Sequence, residues 1–482
     1  MDRSVPPPGP TPGALPPTLP IELNRALNTP LAVQLADTLR SAAAAGHLRG
    51  GDRLPSTRAL AGRLSVSRTV TAAAYEQLHA EGWITGRHGS GTYVTTTPPG
   101  AQPAAAQPRR RPTVSAEPNR IDLVPGAPWV EGLDRAAWRR AWRAAADAPP
   151  LLRPQRAGLP EFRSVVAEHL LRHRGLVLGS GMGEGMGEQD LLATTGTTAA
   201  VSELAVAVLR PGDVVAVEEP GYQRAVQAFR ATGMRVVAAP VDPDGLAVDA
   251  VPPNVRVVYC SPSHQYPLGG RMAAANRVAL VERARAAGWL VIEDDYDGEL
   301  RYDVAPLPLL VGLAPDVVVH LGTTSKIFTS TLGTGWMVAP PDVASAVLGL
   351  RERTGTGPAA AGQRVLIELA RHGDLGRHLR RLRRELSARR ELVVGALDAA
   401  GLSVLGDDAG AHVVVPLPSP AAERRAVDDG RAAGITLDGL ARYHDLRPRW
   451  HGIAIGYTAC SRQELHAVLP TVVRLLVAAA TG

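Results

Sequence analysis

From Leu31 to Ala45 the apolar positions Leu31, Leu35 and Leu39 recur at helical spacing, with Thr38 on the same face, and Gly46 ends the run. A second short helix is predicted within Leu54–Leu64, with Ser56 as its N-cap. Val66–Val70 opens a third helix that runs through Tyr75 and Leu78 to Ala80. Two β segments, Glu81–Ile84 and Gly91–Val94, flank Arg87-His88-Gly89-Ser90 and are expected to form a two-stranded wing. Three short helices and a ribbon make a winged helix-turn-helix. In that motif the start of the second helix of the turn enters the major groove, so Ser67, Arg68 and Thr69 are candidates to meet bases and phosphates. Arg58, on the preceding helix, is expected near the phosphate backbone, and His88 and Gly89 near the minor groove.

After residue 119 the pattern alternates between helices and short apolar runs. Glu161–His173 is amphipathic, and a helix over Ala199–Leu209 is entered from Thr195-Gly196-Thr197-Thr198. Strands are predicted at Val214–Val217, Val236–Ala238, Val255–Cys260, Leu290–Ile292 and Val317–Leu321. Long helices are predicted at Gln363–Arg371 and Asp374–Ala399. This rhythm implies an α/β domain on a mostly parallel sheet, with a small α+β C-terminal subdomain. The expected organisation is a disordered proline-rich tail over 1–22, the winged helix over 23–95, a Pro/Ala/Arg linker over 96–118 and the α/β domain over 119–482.

Charge separates the halves. Residues 1–111 hold twelve arginines against six carboxylates, so the whole formal charge of +6 lies there and the remainder is balanced. A polyanion partner is therefore expected at the N-terminal end. Neither a long apolar run nor a basic-then-apolar leader is present, which points to a cytoplasmic protein. Two isolated cysteines, Cys260 and Cys460, suggest neither a disulfide framework nor a metal cluster.

Among 52 basic side chains one alone is lysine, Lys326, in Gly322-Thr323-Thr324-Ser325-Lys326 after the strand Val317–Leu321. An amine can lose its proton and condense with an aldehyde, whereas a guanidinium stays charged. Asp294, at the end of a strand, suits the carboxylate that pairs with a pyridinium nitrogen, and Tyr296 can hydrogen-bond a ring hydroxyl. Gly196, Thr197 and Thr198 at a helix start offer amides and hydroxyls to a phosphate, with Thr323 and Ser325 adding more, and Tyr222 can stack on a ring. Together these residues describe a site for pyridoxal 5′-phosphate.

The stretch LPSTRALAGRLSVSRTVTAAAYEQLHAEGW and the wing RHGSGTYV resemble the GntR regulators over residues 24–95. The phrases VEEPGYQRA, SPSHQYPLGG, VIEDDYDGELRY and LGTTSK resemble fold-type I aminotransferases and, more closely, the MocR/GabR-type subgroup of GntR proteins, in which both halves occur together. The resemblance implies DNA contacts by Arg58, Ser67, Arg68, Thr69 and Gly89. It also implies a head-to-tail homodimer, pyridoxal phosphate held on Lys326 and a cofactor-facing His264. Four departures stand out. Gly333 replaces the family's phosphate-gripping arginine seven residues past the lysine, and Ala459 replaces its carboxylate-clamping arginine. Leu151-Leu152-Arg153-Pro154 lacks the partner-facing tyrosine, and Ala72 replaces a further helix arginine. The expected function is a DNA-binding regulator that takes pyridoxal phosphate as effector and controls genes of vitamin B6 or amino-acid metabolism, without efficient transamination. Two alternatives are a working aminotransferase carrying a DNA-binding domain and a cofactor-free dimerisation module.

Overall fold

A computed structural model describes residues 21–87, 91–95, 120–178, 187–302, 307–445 and 448–481. The chain forms two compact units, Met1–Ser115 and Ala116–Gly482.

In the first unit, α1 (Leu31–Ala44), α2 (Thr57–Leu64) and α3 (Arg68–Ala80) enclose a core of Leu35, Leu39, Leu60, Ala74 and Leu78. These are the positions that the helical spacing selects, and together they drive the packing by burying apolar surface. Ser56 caps α2 by accepting from Ala59 N at 3.2 Å. The wing differs from expectation. Its first strand is not Glu81–Ile84: Glu81 ends α3, Gly82 turns at φ +77°, and β2 begins at Ile84 and runs to Arg87. It pairs with β3 (Gly91–Val94), and a short strand, β1 (Arg53–Leu54), adds to the other edge of β3.

The second unit opens with β4 (Ile121–Asp122). Its main sheet contains β5 (Leu191–Thr194), β6 (Val214–Glu219), β7 (Arg235–Asp242), β8 (Gly245–Leu246), β9 (Val257–Cys260), β10 (Leu290–Asp295), β11 (Val318–Thr323) and β12 (Gly335–Val338), in the order β5-β12-β11-β10-β9-β6-β7-β8. The β7-β6-β9-β10-β11 core is parallel, and β12 and β8 run against it. Helices α4 (Arg135–Asp147), α5 (Pro160–Arg174), α6 (Thr197–Val208), α7 (Gln223–Ala231), α8 (Ala274–Ala287), α9 (Leu310–Leu313), α10 (Pro341–Thr354), α11 (Ala360–Arg371) and α12 (Asp374–Asp398) cover it. Alternate strand residues feed two cores. Val215, Val217, Val257 and Ile292 pack with α6, α7 and α10, while Val214, Ala216, Val258 and Val291 pack with α5, α8, α9, α11 and α12. Because both faces are covered, the strands read as continuous apolar runs without alternation.

The C-terminal part contributes β13 (His412–Pro416), α13 (Pro420–Ala432), β14 (Ile435–Thr436), β15 (Asp438–Gly439), β16 (Gly452–Gly456) and α14 (Arg462–Thr481). β13, β16 and β15 form an antiparallel sheet, and β14 pairs in parallel with β4.

Candidate functional site

In the first unit the candidate DNA-reading end is the first turn of α3. Ser67 has extended backbone, and its hydroxyl oxygen accepts from Val70 N at 3.4 Å, which leaves its O–H free to donate outward. Arg68 and Thr69 follow and are exposed, as is Arg58 on α2. The turn is anchored from beneath. Thr71 is fully buried with its hydroxyl 2.9 Å from Thr57 O, and Tyr75 donates to Pro55 O at 2.9 Å. The exposed side chains therefore stand on a fixed backbone. His88 and Gly89 lie outside the described residues.

In the second unit, sequence-predicted residues gather at the carboxyl ends of the parallel strands, where ligands bind in open α/β sheets. Lys326 follows β11, and its Nζ donates to Gly126 O at 2.7 Å. Burial holds its ammonium below the ordinary lysine pKa, with Asp297 and Asp294 pulling the other way and Arg224 adding to the depression. Asp294, on β10, is buried and accepts from Tyr259 through Oδ2. Burial pushes its carboxyl up to about 7. Tyr222 follows β6, with its hydroxyl 3.1 Å from Thr198 Oγ1 on the first turn of α6. At the start of that helix Gly196 adopts φ +121° and has no side chain to cap the first-turn amides, which are left for a ligand. Thr197 and Thr198 are half-buried in that turn. Thr323 Oγ1 and Ser325 Oγ lie 2.9 Å apart, and a Cβ on Gly196 would sit 3.9 Å from the Thr323 hydroxyl. Tyr296 does not present a free hydroxyl: it lies 2.9 Å from His264 Nδ1, which is also 2.8 Å from Asp297 Oδ2. Tyr266 stands edge-on to both Tyr222 and Tyr296.

The model of the gntR family of bacterial regulatory proteins matches residues 31–94, and that of aminotransferase class I and II matches residues 132–429. The HTH-type pyridoxine biosynthesis transcriptional regulator PdxR of Corynebacterium glutamicum is 33% identical over 437 residues, spanning 90% of this chain and 94% of that protein. The chain belongs to the MocR-type subgroup of the GntR regulators. The probable rhizopine catabolism regulatory protein MocR of Rhizobium meliloti is 31% identical over 451 residues, spanning 88% of this chain and 89% of that protein. Among solved structures, an archaeal alanine:glyoxylate aminotransferase aligns with a TM-score of 0.68 at 23% identity, covering 74% of this chain and 90% of the other. The kynurenine aminotransferase of Pyrococcus horikoshii aligns with a TM-score of 0.66 at 23% identity, covering 76% and 92%. These two show the fold. This MocR-type chain is thus a DNA-binding transcriptional regulator built from a GntR helix-turn-helix and a fold-type I aminotransferase domain.

The fold implies pyridoxal phosphate, and the residues of this MocR-type protein fit it. Asp294 Oδ1 is buried and has no hydrogen-bond partner among the described residues, and a ring N–H would supply one. The bare first turn of α6 and the adjoining hydroxyls of Thr323 and Ser325 suit a phosphate. Some neighbours escaped sequence reasoning. Tyr259 reads as one more strand residue, yet its register opposite Ile292 puts it on the face of Asp294, two residues on. Arg224 acts electrostatically on both Tyr222 and Lys326, so a guanidinium stands in this region although position 333 has none. Gly126 carries no signal that chain pattern could reveal.

Glu218, on β6, accepts from Ser261 N at 3.1 Å through Oε2, while Oε1 is buried without a partner among the described residues. Burial pushes its pKa up to about 8. A carboxyl raised by folding gives stability that is complete below its unfolded value and is lost as pH rises toward 8. Ligand-free wild type should therefore lose roughly 2–4 kcal/mol relative to Glu218→Gln between pH 5 and 8.5. Urea unfolding at the two pH values checks this; parallel behaviour of the two proteins would show that Glu218 does not titrate there.

Proposed function

We propose that pyridoxal 5′-phosphate is the effector of this regulator, bound covalently at Lys326, and that its binding changes affinity for operator DNA. The observation that carries the reading is the buried Asp294 carboxylate oxygen, without a partner among the described residues, at the same strand ends as the buried amine of Lys326. When bound, the cofactor supplies an aldehyde and an electron-withdrawing ring. Lys326 provides the nucleophilic amine, and Asp294 holds a proton at the ring nitrogen. Gly196, Thr197, Thr198, Thr323 and Ser325 would receive the phosphate, and Tyr222, bonded to Thr198, would stack on the ring. Tyr296, its hydroxyl bonded to His264, would hold the ring hydroxyl. Ala459 leaves an amino-acid carboxylate without its usual clamp, so the site suits holding the cofactor better than turning over amino donors. Titration of the purified protein with pyridoxal phosphate, followed by visible absorbance, tests the reading. A saturable new band is expected, and a spectrum equal to free cofactor plus protein would refute it.

We further propose a head-to-tail homodimer, supported by the exposed loop Leu151–Leu152, whose second leucine is fully exposed. Genes of vitamin B6 synthesis are the proposed targets, supported by the similarity to the pyridoxine biosynthesis regulator of Corynebacterium glutamicum. At the operator, Arg58, Ser67, Arg68, Thr69, His88 and Gly89 are the proposed contacts. Arg68→Ala is expected to cost about 1–3 kcal/mol, or roughly five- to 150-fold in affinity, by fluorescence anisotropy at fixed salt. An unchanged isotherm would remove Arg68 from the interface.

A further inference from the structure

The bond from Lys326 Nζ to Gly126 O joins residues 200 positions apart, and nothing in the proposed chemistry requires it. Gly126 sits at φ +112°, a conformation that favours glycine, and a Cβ there would lie 3.3 Å from Nζ. It belongs to a strap, residues 121–127, that is tied along its length to the C-terminal part. Ile121 N donates to Gly434 O at 2.9 Å and Leu123 N to Thr436 O at 3.1 Å. Gly456 N donates to Leu123 O at 2.7 Å, and Thr458 Oγ1 to Ala127 O at 2.6 Å. At Gly126 the strap is held by the lysine instead. In sequence the strap follows the stretch 96–118.

Resting on the reading that the cofactor attaches at Lys326, we infer that the Lys326–Gly126 bond is the resting position of a switch that cofactor attachment releases. Condensation forms a C=N bond between Nζ and the aldehyde carbon, and the carbonyl oxygen leaves as water. An ammonium has three N–H donors, whereas the condensed nitrogen keeps at most one, directed at the ring. Gly126 O then loses a charge-assisted partner, and the strap is held only from the C-terminal side.

Hydrogen exchange of the full chain, read on peptides covering residues 120–130 with and without pyridoxal phosphate, tests this. The mass of the borohydride-reduced adduct is measured on the same samples. Loading is expected to speed exchange at Ile121, Leu123 and Val124 about tenfold, the effect of losing one charge-assisted bond. Lys326→Met is expected to exchange at the fast rate already without cofactor and not to respond to it. Unchanged exchange in β11 serves as the control for intact folding. Adduct formation with unchanged or slower strap exchange would overturn the switch while leaving the effector reading in place, as would a Lys326→Met strap as slow as wild type. Absence of adduct would overturn both.

Discussion

Lys326→Ala is expected to abolish covalent retention of pyridoxal phosphate and, with it, every effect of the cofactor on operator binding. No other side chain can replace the amine, because the remaining 51 basic residues are arginines, whose guanidinium stays protonated. Borohydride reduction followed by peptide mass mapping should find the pyridoxyl group on the peptide containing position 326 in wild type and nowhere in the variant. Operator affinity of the variant without cofactor should stay measurable, since Arg58, Arg68 and Thr69 belong to the other unit. An adduct on another peptide, such as the chain's N-terminal amine, would place the covalent site elsewhere.

Asp294→Ala is expected to weaken cofactor binding about 10²- to 10³-fold, the equivalent of roughly 3–4 kcal/mol for removing one member of a buried charged pair. The estimate rests on burial. Asp294 is 3% exposed, its Oδ2 is engaged by Tyr259, and Oδ1 faces no protein donor among the described residues. Without the cofactor the same burial makes the carboxyl a liability, which is why its pKa stands at about 7. The variant should therefore be more stable than wild type in the absence of ligand at pH 8, where the carboxylate is ionised, and the gain should shrink as pH falls below 7. Absorbance titration gives the affinity, and urea unfolding gives the stability. A variant that binds the cofactor as tightly as wild type would show that Asp294 does not hold the ring nitrogen.

The two halves were legible to different depths. In the first unit Leu35, Leu39, Leu60 and Leu78 repeat at helical spacing because one face of each helix must be buried, and the cap Ser56 announces itself by residue type. The wing was misplaced because Trp83 and Ile84 look like one β run, whereas Gly82 turns the chain and pairing with β3 begins only at Ile84. In the second unit the apolar runs marked the strands but not their neighbours, since a strand buried on both faces does not reveal which residue faces which. That is why Tyr259, which donates to Asp294, and the buried Glu218 went unnoticed. β12 was also missed, being a short strand around Trp336 that runs against its neighbours. The solitary lysine was readable from composition alone, but its contact with Gly126 depends on tertiary closure across the chain.

Affinity for the DNA upstream of the regulator's own gene, measured by gel shift or anisotropy with and without pyridoxal phosphate, tests the central claim most directly. At one salt concentration, wild type loaded at Lys326 should bind that DNA at least several-fold more tightly or more weakly than the cofactor-free protein, while Lys326→Ala should give one isotherm under both conditions. Superimposable wild-type isotherms, from samples whose mass confirms the adduct, would contradict the account.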